Sequence, residues 1–169
     1  MTNDKSLKIN PLDLEVPLGG QIIRNFELTP SLPNPDAQQW QLDEIGYENV
    51  KGITETIVRF AQNEKQIERD LERAVLIVNM KQNPDNDGVW RFALNGAATK
   101  DKTKDEDTNH DIALEIINDG LTLMAFVHVY RPSEEHIKFG YVASYTHHKS
   151  GKVDIFESSD PGFVPIRPE

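Results

Sequence analysis

The chain has 169 residues, which is long enough for one domain with an adequate hydrophobic core. It contains no cysteine, and this excludes disulfides, thiolate metal sites and a cysteine nucleophile. Its formal net charge of -10 opposes binding to phosphate backbones and to anionic membranes, so nucleic acid and membrane are not expected as partners.

The chain shows no targeting or membrane-spanning pattern. Its amino terminus has no basic segment followed by a long apolar run, and no stretch of about 18 apolar residues occurs anywhere. We therefore expect a soluble protein without a signal peptide, in the cytoplasm by default. We also expect one domain over residues 1–169.

The amino-terminal segment, 1–50, is rich in proline. Because proline lacks the donor that a strand ladder needs, the segment is predicted to be partly irregular or at a sheet edge. Within it, Ile22, Phe26 and Leu28 alternate with polar residues and predict one strand. The segment's prolines are Pro11, Pro17, Pro30, Pro33 and Pro35.

A helical pattern follows over about residues 53–72. Its apolar residues recur at steps of three, four or seven, which predicts one amphipathic helix that packs on the protein's own sheet. Glu72 falls on the opposite, solvated face of this helix. The apolar stripe consists of Ile53, Ile57, Phe60, Ile67 and Leu71.

Beyond the helix the hydrophobic period becomes two. The apolar stretch 74–81 fits either a strand or a continued helix, and the sequence leaves both open. Turn chemistry at 118–120 and at 149–151 joins successive strands as hairpins. The further predicted strands are 89–96 (with Trp90, Phe92 and Leu94 on one face), 111–116, 121–130, 136–147 and 152–157.

These elements predict an α+β fold in which the helix packs on a curved antiparallel β-meander of about six strands. The helix and sheet occupy residues 51–158, and an extended tail at 159–169 closes one end of the sheet or lies on a neighbour. An all-β barrel or sandwich with a surface helix is the alternative.

Two segments carry several side-chain oxygen groups of the kind that bind metal ions. Residues 83–88, NPDNDG, begin like a calcium loop, but the twelfth position is Leu94 instead of glutamate, so we interpret them as a hairpin loop. Residues 100–111 also carry alternating acidic groups, yet lack a glycine bend and a closing glutamate. A solvated loop is the favoured interpretation there, and we predict neither a metal nor a cofactor.

One histidine lies in an aromatic setting. His128 alternates with Tyr130 on one predicted strand, and Tyr141 and Tyr145 share a face of the next. If these faces turn toward the helix, they line a ligand pocket together with Trp90. A satisfied core histidine explains the same pattern.

No catalytic motif accompanies this cluster. The sequence has no GxSxG elbow, no P-loop and no HExxH helix. The leading hypothesis is therefore a non-enzymatic binding or interaction protein that recognises a protein partner or a small apolar ligand through a sheet–helix pocket. The alternatives are a small pocket enzyme with His128 as acid or base and Tyr130 or Tyr141 positioning the substrate, and an assembly component that exchanges its terminal arms.

Overall fold

The computed structural model describes residues 9–33, 40–99, 110–129 and 137–168. Within these ranges almost every regular element is a strand. In chain order the elements are β1 (Pro11–Val16), β2 (Gln21–Thr29), β3 (Gln41–Ile45), β4 (Glu55–Phe60), α1 (Gln66–Leu71), β5 (Arg73–Met80), β6 (Gly88–Thr99), β7 (His110–Ile117), β8 (Thr122–Val129), β9 (Phe139–His147) and β10 (Val153–Ile166).

The strands form two five-stranded sheets that share one hydrophobic core. The first sheet has the order β1-β4-β10-β9-β6 and the second has the order β3-β2-β5-β8-β7. Both sheets are mixed, because β1 and β4, β4 and β10, and β2 and β5 pair in parallel while the other neighbours pair antiparallel. Buried side chains from both sheets meet in a single cluster that includes Val58, Trp90 and Val127. This packing defines a two-sheet sandwich.

The predicted amphipathic helix over 53–72 is wrong, and so is the α+β fold built on it. Residues Glu55–Phe60 form β4, in which Thr56, Val58 and Phe60 are buried with a period of two. The β-branched run Thr56, Ile57 and Val58 fits a pleated surface better than a helix. Only Gln66–Leu71 is helical, and α1 buries none of its residues. The alternative of a sandwich with a surface helix lies closer to the structure.

Replacing Ile67 with glutamate tests this correction. Ile67 is 80% exposed on α1, so we expect Ile67→Glu to change the free energy of unfolding by no more than about 0.5 kcal/mol. The control Val58→Ala, at a fully buried site, should cost about 1.5 kcal/mol for two lost methyl groups. Urea denaturation measures both. A large loss of stability for Ile67→Glu would instead support the predicted helix that packs on the sheet.

The connections between strands also separate this fold from a simple meander. The stretch 74–81, which the sequence left open, is a strand at the centre of the second sheet. The two predicted hairpins are confirmed, since β7 and β8 pair across Asn118–Gly120 and β9 and β10 pair across 148–152. Residues 83–88, however, lead from β5 in the second sheet to β6 in the first. The interpretation of this segment as a hairpin loop is therefore wrong.

Strand β6 is irregular at its middle. Its register with β9 shifts between Phe92 and Ala97, and Leu94 in this bulge adopts a positive φ of 54°. Leu94 is 75% exposed as a result, so the prediction that it shares a buried face with Trp90 and Phe92 is wrong.

The carboxyl-terminal tail becomes part of the first sheet. Residues 163–166 of β10 pair in parallel with residues 56–59 of β4, which in turn pairs in parallel with β1. This arrangement brings the carboxyl ends of β1, β4 and β10 to one edge of the sandwich. No helix in the described ranges is long and apolar enough to cross a membrane.

Candidate functional site

A groove of about 490 Å³ opens where the three parallel strands end. The register sets Val16 of β1 opposite Phe60 of β4, and Ile166 of β10 opposite Arg59 of β4. The groove is lined by Glu15, Val16, Pro17, Leu18, Arg59, Phe60, Ala61, Ile166 and Pro168. Its walls are apolar apart from two charged side chains at the rim, as is common for ligand-binding pockets.

The strands end here for a local reason. Pro17 directly follows β1, and Pro168 lies two residues after β10, and neither residue can donate a hydrogen bond to a ladder. The chain then turns at Gly19, where φ is 65° and glycine meets little steric cost. These breaks leave Leu18 59% exposed at the groove rim.

A buried guanidinium contacts two of the groove residues, Phe60 and Ala61. Arg167 is 1% exposed and donates three hydrogen bonds, from Nε to the Val129 carbonyl at 2.9 Å, from Nη1 to the Ala61 carbonyl at 2.8 Å and from Nη2 to Glu72 Oε1 at 2.7 Å. Its guanidinium carbon also lies 5.1 Å from the centre of the Phe60 ring. Arg167 thus joins the end of β10 to β8 in the second sheet and to two groove residues.

The carboxylate of Glu72 completes this ion pair. Glu72 has no exposed surface, and its Oε2 accepts hydrogen bonds from the Gly19 amide at 3.0 Å and from Asn63 Nδ2 at 3.3 Å. Burial acts to raise the pKa of Glu72, but the hydrogen bonds from Arg167, Gly19 and Asn63 and the charge of Arg167 outweigh it and lower the pKa. The predicted position of Glu72 on a solvated face is therefore wrong.

The lowered pKa links this pair to acid stability. A carboxylate whose pKa is lower in the folded state stabilises the protein above its unfolded pKa. That contribution is lost as the pH falls through the lowered folded value.

His128 lies next to this pair and is enclosed by protein. Its side chain is 3% exposed, and its Nδ1 lies 2.6 Å from Arg73 Nη1 and 2.8 Å from the Glu72 carbonyl. The ring also packs edge-on against Phe60, with centroids 6.4 Å apart. These contacts are those of a core histidine. The burial of the ring leaves a substrate no open path to it.

The other predicted pocket residues separate into two places. Trp90 and Tyr145 are opposite each other on β6 and β9 with ring centroids 4.9 Å apart, and Trp90 Nε1 donates to Asn86 Oδ1 at 3.1 Å. Tyr141 is 1% exposed and packs near Phe163, and its hydroxyl has no partner in the described ranges. Burial raises the pKa of both tyrosines, with the charge of Asp87 adding to the effect at Tyr145. Tyr130 lies outside the described residues.

Of the four members of the predicted set that the structure describes, Trp90 and Tyr145 are the two whose rings contact each other, and none of the four lines the groove. The groove residues carried a weak sequence signal. The apolar tail with Ile166 was expected to dock, and Arg167 stands isolated between Pro165 and Pro168. The sequence alone does not show that Arg167 is buried or which residue it pairs with.

Metal ligands do not cluster in the part of the chain that the structure describes, where no group of three or more His, Asp or Glu side chains converges. The acidic segment 100–109 lies outside the described residues. At 83–88, Asn83 instead bonds to protein, donating to the Pro30 carbonyl at 3.2 Å and accepting from the Asp85 amide at 3.0 Å.

Comparison with known proteins places the chain in a family. A model of the DP-EP family matches residues 10–167, so the chain belongs to the DP-EP family. The family description assigns no activity. No curated protein and no solved structure matches the chain.

Proposed function

We propose that this chain is a non-enzymatic binding protein that holds an apolar group of its ligand or partner in the groove at the ends of β1, β4 and β10. The observation that carries the proposal is the groove itself, whose volume of about 490 Å³ falls in the range of ligand pockets and whose walls are mainly apolar. The proposal puts the binding site at strand ends and not in the sheet–helix pocket expected from the sequence, because the short helix α1 buries none of its residues.

Hydrogen bonds to the backbone at and next to the groove favour binding, because they hold the chain in place before a ligand arrives. Arg167 anchors the Ala61 carbonyl, and Glu72 anchors the Gly19 amide beside Leu18. Side chains and loops that are already fixed lose less conformational entropy when a ligand binds. The buried ion pair thus supports a preorganised groove.

The enzyme alternative has less support in this geometry. His128, its proposed acid or base, is 3% exposed and engaged by Arg73 and the Glu72 carbonyl. General acid–base catalysis needs the group within hydrogen-bond reach of a bound substrate.

Filling the groove tests the proposal. Nile red, a neutral apolar dye, should bind the wild-type chain saturably, and Ala61→Trp should raise its Kd at least about tenfold because the indole occupies the space. Fluorescence titration measures both, with the thermal midpoint as a check of folding.

The matched control is Ser150→Trp, which adds the same side chain at an exposed turn between β9 and β10. It should leave the Kd within a factor of two or so of wild type. Equal Nile red binding by wild type and Ala61→Trp, or no saturable binding by wild type, would contradict the proposed site.

A further inference from the structure

The strand that forms one wall of the groove lies at an edge of the first sheet. In the described part of the chain β1 has a strand neighbour on one side only, which is β4. Among the described residues no strand pairs with the backbone N–H and C=O groups that point to the other side, so this edge can accept another strand. Pro11 and Pro17 carry no N–H and bracket this edge, so donors are restricted to residues 12–16.

The charges along this edge are not balanced. Arg59 pairs with Asp13, with 2.5 Å between Nε and Oδ1. Glu15 lies opposite Arg59 in the strand register, is exposed, and makes no ion pair with a residue in the described ranges. In the described ranges the groove rim therefore carries one carboxylate without an ion-pair partner next to apolar walls, on a chain whose formal net charge is -10.

We infer that the occupant of the groove is a short extended segment of a partner protein, which adds to the edge of β1 and carries a lysine or arginine next to an apolar side chain. The inference rests on the proposed function and specifies its ligand. The segment's backbone pairs with β1, its cation lies beside Glu15 and its apolar side chain enters the groove. Addition of a strand to a sheet edge is an established mode of peptide recognition.

The dimensions and charges favour this occupant over a small apolar molecule. Five residues of free edge span about 16 Å at about 3.3 Å per residue, and the edge ends at Val16 in the groove wall. A neutral small molecule uses neither this backbone edge nor Glu15. An extended basic and apolar segment satisfies the edge, the carboxylate and the groove together.

A selection from a random dodecamer peptide library displayed on phage tests the inference with the full-length chain as bait. We expect enriched peptides in which a basic residue lies close to an apolar one. Fluorescence anisotropy of these peptides should show at least a tenfold weaker affinity for Glu15→Lys and for Ala61→Trp. Methylation of the backbone nitrogens along the pairing edge of the peptide should weaken binding to a similar degree.

The charge-matched control is Glu157→Lys, at an exposed position in the other half of β10. It should leave the peptide affinity within about twofold of wild type. Failure to enrich any peptide, equal losses for Glu15→Lys and Glu157→Lys, or full binding by N-methylated peptides would overturn the inference. If Ala61→Trp still weakens Nile red binding in that case, the proposed function would hold, with a small molecule as the ligand.

Discussion

Replacing Arg167 with methionine is expected to lower the free energy of unfolding by about 3–5 kcal/mol. Methionine keeps much of the aliphatic volume but leaves the Glu72 carboxylate buried without its cation. It also removes the donors to the Val129 and Ala61 carbonyls. Urea denaturation at neutral pH measures the loss.

Two controls make the result specific to the buried pair. Arg59→Met removes an exposed ion pair with Asp13 and should cost less than about 1 kcal/mol. The double variant Glu72→Leu with Arg167→Met removes both charges and should recover much of the stability that Arg167→Met loses. A loss below about 1 kcal/mol for Arg167→Met would contradict the buried ion pair.

Replacing Trp90 with alanine is expected to lower the free energy of unfolding by about 3–5 kcal/mol. Trp90 has no exposed surface and contacts the rings of Trp40, Tyr145 and Phe156, with centroids 5.7, 4.9 and 5.7 Å away. Its removal leaves a cavity between the sheets, and closely packed sheets refill such a cavity only in part. Thermal and urea denaturation measure the effect.

The same variant separates a core residue from a ligand-binding residue. Ile155→Ala, at a site 54% exposed on β10, is the control and should change stability by no more than about 0.5 kcal/mol. A Trp90→Ala protein that keeps its stability but loses Nile red binding would contradict the core assignment. It would support the pocket that the sequence suggested around Trp90.

Strands β7, β8 and β9 could be predicted from the sequence because their local patterns determine them, whereas the stretch that forms β5 stayed open between strand and helix. Alternation in β7, β8 and β9, and the turn residues at Asn118–Gly120, carry enough information to place strands and hairpins. The prediction for 53–72 failed because Ile53, Ile57 and Phe60 match a helical spacing, whereas strand β4 buries Thr56, Val58 and Phe60 with a period of two. Pairing of β4 with β1 and β10, far away in sequence, decides which pattern forms.

The candidate site was harder to predict for the same reason. It is built from the ends of β1, β4 and β10, which are separated by about 40 and 100 residues in the sequence. Glu72 and Arg167 are 95 residues apart, and neither residue alone indicates a buried ion pair. His128 was predicted to line a pocket, and in the structure its Nδ1 contacts Arg73 and the Glu72 carbonyl.

The location of a bound apolar ligand distinguishes a binding site at the ends of β1, β4 and β10 from a site around Trp90. A titration of isotope-labelled protein with Nile red, followed by two-dimensional amide NMR, reports which residues the dye approaches. We expect the largest shift changes at Leu18, Ala61 and Ile166, with the amides of Trp90 and Tyr145 nearly unchanged. Shift changes centred on Trp90 and Tyr145, with Leu18 and Ala61 unaffected, would contradict a binding site at the strand ends.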